Sequence, residues 1–452
     1  MVDHFPTVYG IRPMPFALSK ETFTSRGIRA PKGRFPRLGF CVNKTIHAKE
    51  SGGKTVSDLL TLIEPRLTEE LRQDVLAWRS HIHQHPELSF EEHETAAYIE
   101  AELRAMGYDD VVSPTPTSRV ATLKGGKGPG RTIALRADID ALPVEEAEGL
   151  ACRSLVPGVS HVCGHDAHAA MLLGTAKLLL SLKDQIQGIV KFFFQHAEEQ
   201  APGGAAEMVK AGVLEGVDAC VGLHVMNDPI GLVRVTTTPA VSTTCDEVEV
   251  TIRGRGTHGS MPHAGVDPIL VGAEMVLAMH TIVSRNLPPG RFAVVSPTIF
   301  QAGNAVNVIP DTARIGVNFR TKSEEDRDFL FQRIEAVARS VAAVHGAEVD
   351  IHTVRGCAAT IQDPAMIERA LRVAKEVMPT DKVATGSGMT GSEDFSAFAE
   401  KVPSVYLILG GGTAEEGYPY ANHHPAFRPD EGCFMAGVRI EAAMALDFLM
   451  RP

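Results

Sequence analysis

No apolar run in this chain reaches the roughly 20 residues needed to cross a bilayer, and the amino terminus carries no apolar stretch of the kind a secretory signal uses. A membrane partner is therefore not expected. Positive charge is in short supply, with 44 Lys and Arg against 55 Asp and Glu and a formal net charge of -11. Such a chain offers no electrostatic footprint to a phosphate backbone, which argues against nucleic acid as a partner. Paired cysteines are missing as well. The seven are Cys41, Cys152, Cys163, Cys220, Cys245, Cys357 and Cys433, an odd number at wide spacing, as expected for reduced thiols in a soluble cytoplasmic protein. There is no internal repeat. With 44% hydrophobic and 22% charged residues the composition is that of an ordinary globular protein, and 452 residues exceed what one core usually spans.

Acidic residues are scarce in one stretch. Residues 1–49 hold nine Lys or Arg against two Asp or Glu, with five prolines and no sustained periodicity. We read residues 1–55 as an amino-terminal extension without stable structure, or as the product of a wrongly chosen start codon. Its basic, acid-poor composition leaves organellar targeting open, but Pro6, Pro13 and Pro15 would interrupt the amphipathic helix of a transit peptide.

What the chain does have is His161-Val162-Cys163-Gly164-His165-Asp166-Ala167-His168, which puts a thiolate and imidazoles within reach of one metal ion. Three further segments can join it. Gln195-His196-Ala197-Glu198-Glu199 follows the apolar run from Ile189 to Phe194, so two carboxylates sit where a buried strand meets its loop. Gly222-Leu223-His224-Val225 closes another apolar strand with a histidine. Asn422-His423-His424-Pro425 follows the glycines Gly410 to Gly412. Together they offer Cys163, His165, Glu199, His224 and one of His423 or His424. That nitrogen, sulfur and oxygen set suits zinc, manganese, cobalt or nickel rather than calcium or magnesium. Five ligands exceed one tetrahedral ion that keeps a position open for water, which suggests two divalent ions sharing Cys163 or a water. Glu198, not needed as a ligand, fits the role of general base.

These residues resemble a family of co-catalytic metallopeptidases and amidohydrolases that includes aminoacylases, glutamate carboxypeptidases and hippurate hydrolases, and specifically its hippurate and auxin-conjugate hydrolase branch. The resemblance runs in order from about Leu71 to Leu449. It rests on His83-Gln84-His85-Pro86-Glu87, Arg136-Ala137-Asp138-Ile139-Asp140, Cys163-Gly164-His165-Asp166, Glu198-Glu199, Gly222-Leu223-His224, Gly256-Thr257-His258, Asn307-Val308-Ile309-Pro310 and Gly391-Ser392-Glu393-Asp394-Phe395. It implies Cys163, His165, Glu199, His224 and His423 as metal ligands and Glu198 as catalytic base. It implies Asp140 as the residue that orients a metal-bound histidine, although Asp138 stands where the wider family has a histidine. It also implies an inserted lid that forms a dimer or tetramer interface, with His258 lent to the partner's active site to steady the oxyanion, and Asn307 and Arg320 binding the substrate carboxylate. His83 and His85 read as structural. Gly391 to Phe395 reads as a helix start capped by Ser392, with Glu393 and Asp394 in the first turn.

The apolar patterning agrees with that fold. Helical patterns run from Leu67 to His85, Phe90 to Met106 and Gly164 to Leu182, alternating with strands that end near Asp138, Gln195 and His224, as in an α/β domain with a mixed, mostly parallel sheet and flanking helices. From Cys245 the order becomes strand to Gly254, helix Asp267 to Arg285, strands Phe292 to Phe300 and Thr312 to Thr321, helix Glu324 to His345, strand Ala347 to Val354. This β-α-β-β-α-β unit is expected to close as a ferredoxin-like α+β lid. The expected boundaries are therefore catalytic domain 56–242, insert 243–356 and catalytic domain resumed 357–452. The expected function is hydrolysis of N-acyl amino acids to a carboxylic acid and a free amino acid. The rivals are a dipeptidase or carboxypeptidase with the same machinery and a non-catalytic binding protein on this fold.

Overall fold

The computed structural model describes residues 57–451, so the expected extension over residues 1–55 lies outside the described residues. The chain first lays down α1 (Ser57–Ile63), α2 (Glu69–Gln84), α3 (His93–Met106), β1 (Val111–Val112), β2 (Arg119–Lys124), β3 (Thr132–Asp138), α4 (His165–Leu180), β4 (Ile189–Gln195), α5 (Gly204–Lys210), β5 (Ala219–Met226) and β6 (Val233–Thr236). An insert follows, with β7 (Asp246–Arg253), β8 (Thr257–His258), α6 (Pro268–Met279), α7 (Ile282–Asn286), β9 (Ala293–Ala302), β10 (Val308–Ile309), β11 (Thr312–Thr321), α8 (Glu324–His345) and β12 (Glu348–Arg355). The chain then returns through α9 (Pro364–Val377), β13 (Val383–Gly386), α10 (Ser396–Ala399), β14 (Ser404–Gly410) and α11 (Phe434–Met450).

The first and last parts build one eight-stranded sheet in the order β1-β2-β4-β3-β5-β14-β6-β13, whose centre, β4-β3-β5-β14, is parallel throughout. Helices cover both faces of that centre, which is why β3 and β14 are buried along their whole length. Alternation along β4 sends Phe192 and Phe194 into the cluster under α4 and α11, and Phe193 to the other face, against Phe395 and Phe398. Helix α4 is enclosed almost all round. At Gly174 a Cβ would stand 2.7 Å from Val75 Cγ2 of α2 and 3.0 Å from Val438 Cγ2 of α11, so three helices meet where only glycine fits.

The insert makes a separate four-stranded antiparallel sheet, β12-β7-β11-β9, with α6 and α8 packed on it around Val248, Val250, Ile252, Ile315, Phe319, Leu330 and Ile334. The fold class is thus a mixed α/β domain with an inserted α+β lid of ferredoxin-like order. Local details differ from the sequence reading. The helix expected from Asp267 to Arg285 breaks in two, because Thr281 turns its hydroxyl back to the Ala278 carbonyl at 2.7 Å and competes with the helix ladder. Strands β6 and β13, four residues each, were too short to read. The turn after α2 does lead into α3, but α3 is capped by Glu87, whose carboxylate accepts from Glu94 N at 3.1 Å and Thr95 N at 2.7 Å. Glu92 instead turns inward. No helix among the described residues is long and apolar enough to cross a membrane.

Candidate metal centre

Because β3, β4 and β5 are parallel neighbours, their carboxyl ends share one edge of the sheet, where open α/β sheets bind ligands. Asp140 lies just past β3, Glu198 and Glu199 just past β4, and His224 within the last turn of β5. Gly164, in the left-handed region at φ 99°, ends the loop from Cys163 and opens α4 with His165. The loop after β14 brings in His423.

These residues form overlapping sets of donor atoms, all within 4.8 Å of one another in each set: Cys163, His165 and His224; Cys163, Glu199 and His423; and His165, Glu198 and Glu199. Cys163 belongs to the first two. Its sulfur lies 3.5 Å from His224 Nε2, and His423 Nε2 lies 3.1 Å from Glu199 Oε1. The hydrogens are already placed for ligation. His165 Nδ1 is 3.0 Å from the Asp140 carbonyl and 3.1 Å from its Oδ1, and His224 Nδ1 is 2.8 Å from the Val225 carbonyl, which leaves each Nε2 as the free lone pair. His165 Nε2 is buried without a hydrogen-bond partner. An orphaned nitrogen, in a set of thiol, imidazoles and carboxylate, is what a divalent transition ion would satisfy. Hydrogen bonding to Cys163 and Glu199 pushes the His423 imidazole up to about 10, another sign that this cluster attracts positive charge.

Asp140 supports both halves of the cluster. Besides meeting His165, its Oδ2 accepts from Glu199 N at 3.0 Å and from Ser89 Oγ at 2.7 Å. Burial pushes its carboxyl up, but the hydrogen bond to His165 and those from Glu199 and Ser89 hold it below the ordinary value. Glu198, half-buried beside the cluster, is raised well above the carboxylate range by burial and then by the charges of Glu393, Glu199 and Asp394.

One expectation needs correction. Gly391 to Phe395 is no capped helix start, since α10 begins at Ser396 and has no side-chain cap. Glu393 and Asp394 are buried under the site instead, and Arg136 is the reason they can be. Its guanidinium, wholly enclosed, meets Asp138 at 2.6 Å, Asp394 at 2.9 Å, Glu393 at 3.0 Å and Gln195 Oε1 at 2.7 Å. Tyr406 donates to Glu393 from beyond. Asp138 is fully used by Arg136 and by His168 Nδ1 at 2.6 Å, while His168 Nε2 accepts from Val225 N at 2.8 Å and so braces the strand that carries His224.

His83, read as structural, bridges Asp166 at 2.7 Å and Glu146 at 2.9 Å in the interior. A cavity of about 300 Å³ opens onto the cluster, lined by Cys163, Glu198, Glu199, His224 and His423, with Arg320 from the insert. Within one chain His258 and Asn307 are not part of it. Both are exposed on the β8-β10 ribbon, where His258 pairs with Val308 and holds Ser260 Oγ at 2.8 Å.

Three residues given no site role in the sequence reading matter here. Asn422 Nδ2 donates to the Cys163 carbonyl at 2.8 Å and the Val225 carbonyl at 3.1 Å, while His423 N reaches Val162 O at 2.6 Å, stitching the late loop over the early one. Its place beside His423 was the available signal. Glu92 Oε1 accepts from Ala197 N at 2.7 Å and so fixes the turn before Glu198, and burial raises this carboxyl to about 7. Arg136 stood inside a recognised motif without a task.

Comparison with known proteins places these observations in company. A family model described as Peptidase family M20/M25/M40 matches residues 134–447. An N-acyl-L-amino acid amidohydrolase of Geobacillus stearothermophilus is 44% identical over 63% of this chain and 77% of its own length. Thermostable carboxypeptidase 2 of Saccharolobus solfataricus is 34% identical over 84% of this chain and 99% of its own. Among solved structures, the YxeP protein of Bacillus subtilis, a dinuclear metal-binding peptidase of the M20 family, superposes with a TM-score of 0.74 at 31% identity, covering 85% of this chain and 100% of that one.

Proposed function

Since this chain belongs to peptidase family M20/M25/M40, we propose that it is a metal-dependent amidohydrolase that cleaves N-acyl amino acids to a carboxylic acid and a free amino acid. The observation that carries the reading is the meeting of two donor sets at Cys163 with the carboxylate of Glu198 alongside. In this reading Cys163, His165, Glu199, His224 and His423 hold two divalent ions, manganese or zinc first and cobalt or nickel as alternatives, with Asp140 orienting His165. Bound there, such ions polarise an amide carbonyl and lower the pKa of water. Glu198 accepts the proton of the attacking water and delivers it to the leaving amine. Arg320, whose Nη1 is buried without a partner, is offered to the substrate carboxylate.

His258 and Asn307 enter from a second copy of the chain. Strand β9 is one of the two edges of the insert's sheet, and it exposes Val294, Ile299 and Phe300 beside α6, which exposes Leu270 and Leu277, a surface that favours a homodimer or a tetramer built from one. A histidine donor to the oxyanion is worth about 3 kcal/mol. Mixing inactive Glu198→Gln and His258→Ala chains should then restore activity, because hybrid dimers carry one complete site. Mixtures that stay inert would remove the partner-lent histidine.

The decisive assay measures amino acid release from N-acetyl, N-benzoyl and indole-acetyl amino acids and from unblocked dipeptides, with manganese or zinc and with chelator. Metal-dependent release from blocked substrates is the expected result. Cleavage of dipeptides alone would move the assignment to a carboxypeptidase or dipeptidase, as the Saccharolobus relative suggests, and no cleavage by a metal-loaded chain would leave a binding protein. Glu198→Gln should abolish turnover with metal content unchanged, whereas Cys163→Ala should lose metal.

A further inference from the structure

The large apolar side chains lining the cavity over the candidate metal centre are two methionines, Met226 and Met389, among charged and polar residues such as Glu198, Glu199 and Arg320. Met226 follows His224 by two residues on β5, so both side chains leave the same face of the strand, with Cα atoms about 7 Å apart. Met389 comes from the segment between β13 and α10, whose course is set where Met389 N donates to Val241 O at 2.7 Å. Each is half-buried and rests on the enclosed cluster of Phe193, Phe395, Tyr406 and Ile408. Two thioethers thus present apolar surface to the cavity, and that surface is better covered than wet. Arg320, the unpaired cation of the same cavity, is carried by β11 of the insert, whereas both methionines belong to the sheet domain.

We propose that Met226 and Met389 form the acyl subsite and select for apolar acyl groups of variable shape. This rests on the N-acyl amino acid reading above. The carbonyl carbon that is attacked is placed at the donor atoms gathered around Cys163, His224 among them. The acyl substituent is one bond from that carbon, whereas the carboxylate, drawn to Arg320, is three bonds away through the nitrogen and Cα. The group closest to His224, and so to Met226, is therefore the acyl group. Methionine is unbranched and polarizable, so a floor of two thioethers accommodates straight, branched and aromatic acyl groups instead of fitting one of them.

The test compares kcat/KM of the metal-loaded full chain for one amino acid bearing acetyl, butanoyl, hexanoyl or benzoyl, and for several amino acids all bearing hexanoyl. Each methylene buried on the thioethers is worth roughly threefold to fourfold, so the wild-type ratio of hexanoyl to acetyl should be well above one. Met226→Gln and Met389→Gln keep the side-chain volume and lose the apolar contact, and each should cut that ratio by about fivefold or more. The amino acid profile should keep its order. Met226→Leu and Met389→Leu should retain the ratio. A ratio unmoved in both glutamine variants overturns the proposal, as does a change confined to the amino acid profile. A wild-type chain that cuts only unblocked dipeptides would overturn the parent reading first, and with it this one.

Discussion

One carboxylate, Asp140, holds together two halves of the candidate centre, with one oxygen turned to His165 and the other to the backbone of Glu199. Asp140→Asn must present an amide N–H to one of those donors, so one support is lost. We expect metal affinity to fall about 10- to 100-fold, read by titration calorimetry, and unchanged affinity would sink this role. Arg136 is the other single residue on which much depends. Arg136→Met leaves Asp138, Glu393 and Asp394 enclosed without their cation, which should cost about 3–5 kcal/mol in urea unfolding at neutral pH. The residue scale was also where the sequence was most uneven. Cys163, His165, Glu198, Glu199 and His224 were legible because they stand in compact segments whose chemistry is self-evident. Arg136, Glu92 and Asn422 were not, because their partners lie far away in sequence and only the fold brings them near. The buried pair Glu393 and Asp394 was misread for the same reason: a carboxylate beside a serine imitates a helix cap until its distant arginine is known.

Among the elements, α4 repays a direct test, since two points along it serve different needs: His165 at its start faces the candidate centre and Gly174 in its middle is crossed by α2 and α11. Gly174→Val should destabilise by about 1–3 kcal/mol through overpacking, seen as a lower melting temperature, and a neutral effect would mean the three helices can part. Helix α11 supplies a pH test remote from the centre. Glu441 is enclosed there, accepts from Thr175 Oγ1 at 2.7 Å, and is pushed by burial up to about 8. Its folded pKa lies above the unfolded value, so the folded state holds the extra proton. The stability this contributes is complete below about pH 4.5 and is lost as pH rises toward about 8, on the order of 5 kcal/mol at most. Glu441→Gln keeps the hydroxyl bond and should gain stability over wild type between pH 5.5 and 8.5 in thermal melts. Parallel curves for the two proteins would refute the shift. A long element such as α8 was readable to the residue because period and caps agree along it. β6, β13 and the break after Met279 were not, since four residues carry too little pattern and a single threonine hydroxyl decided the break.

For the whole molecule, a metal pair held by the native fold alone must raise its stability by mass action. Saturating manganese or zinc should raise the melting temperature and chelator should lower it, whereas Cys163→Ala should melt at one temperature under both conditions. An equal shift in that variant would place the metal elsewhere. The global layout was largely legible, because the change from alternating helices and strands to β-α-β-β-α-β is a change of period and order that survives local error. The exposed place of His258 and Asn307 was not legible in composition or period, and only the resemblance implied that His258 is lent to a partner copy.

The stitching of Asn422 onto Cys163 and Val225 and of His423 onto Val162 also bears on the protein's birth. Translation delivers residue 140 first and residue 423 last, with the entire insert in between, so a nascent chain offers thiol and imidazole to any passing ion but cannot enclose it. On the proposed reading, the donor set of Cys163, Glu199 and His423 is therefore complete only after synthesis has passed the closing loop.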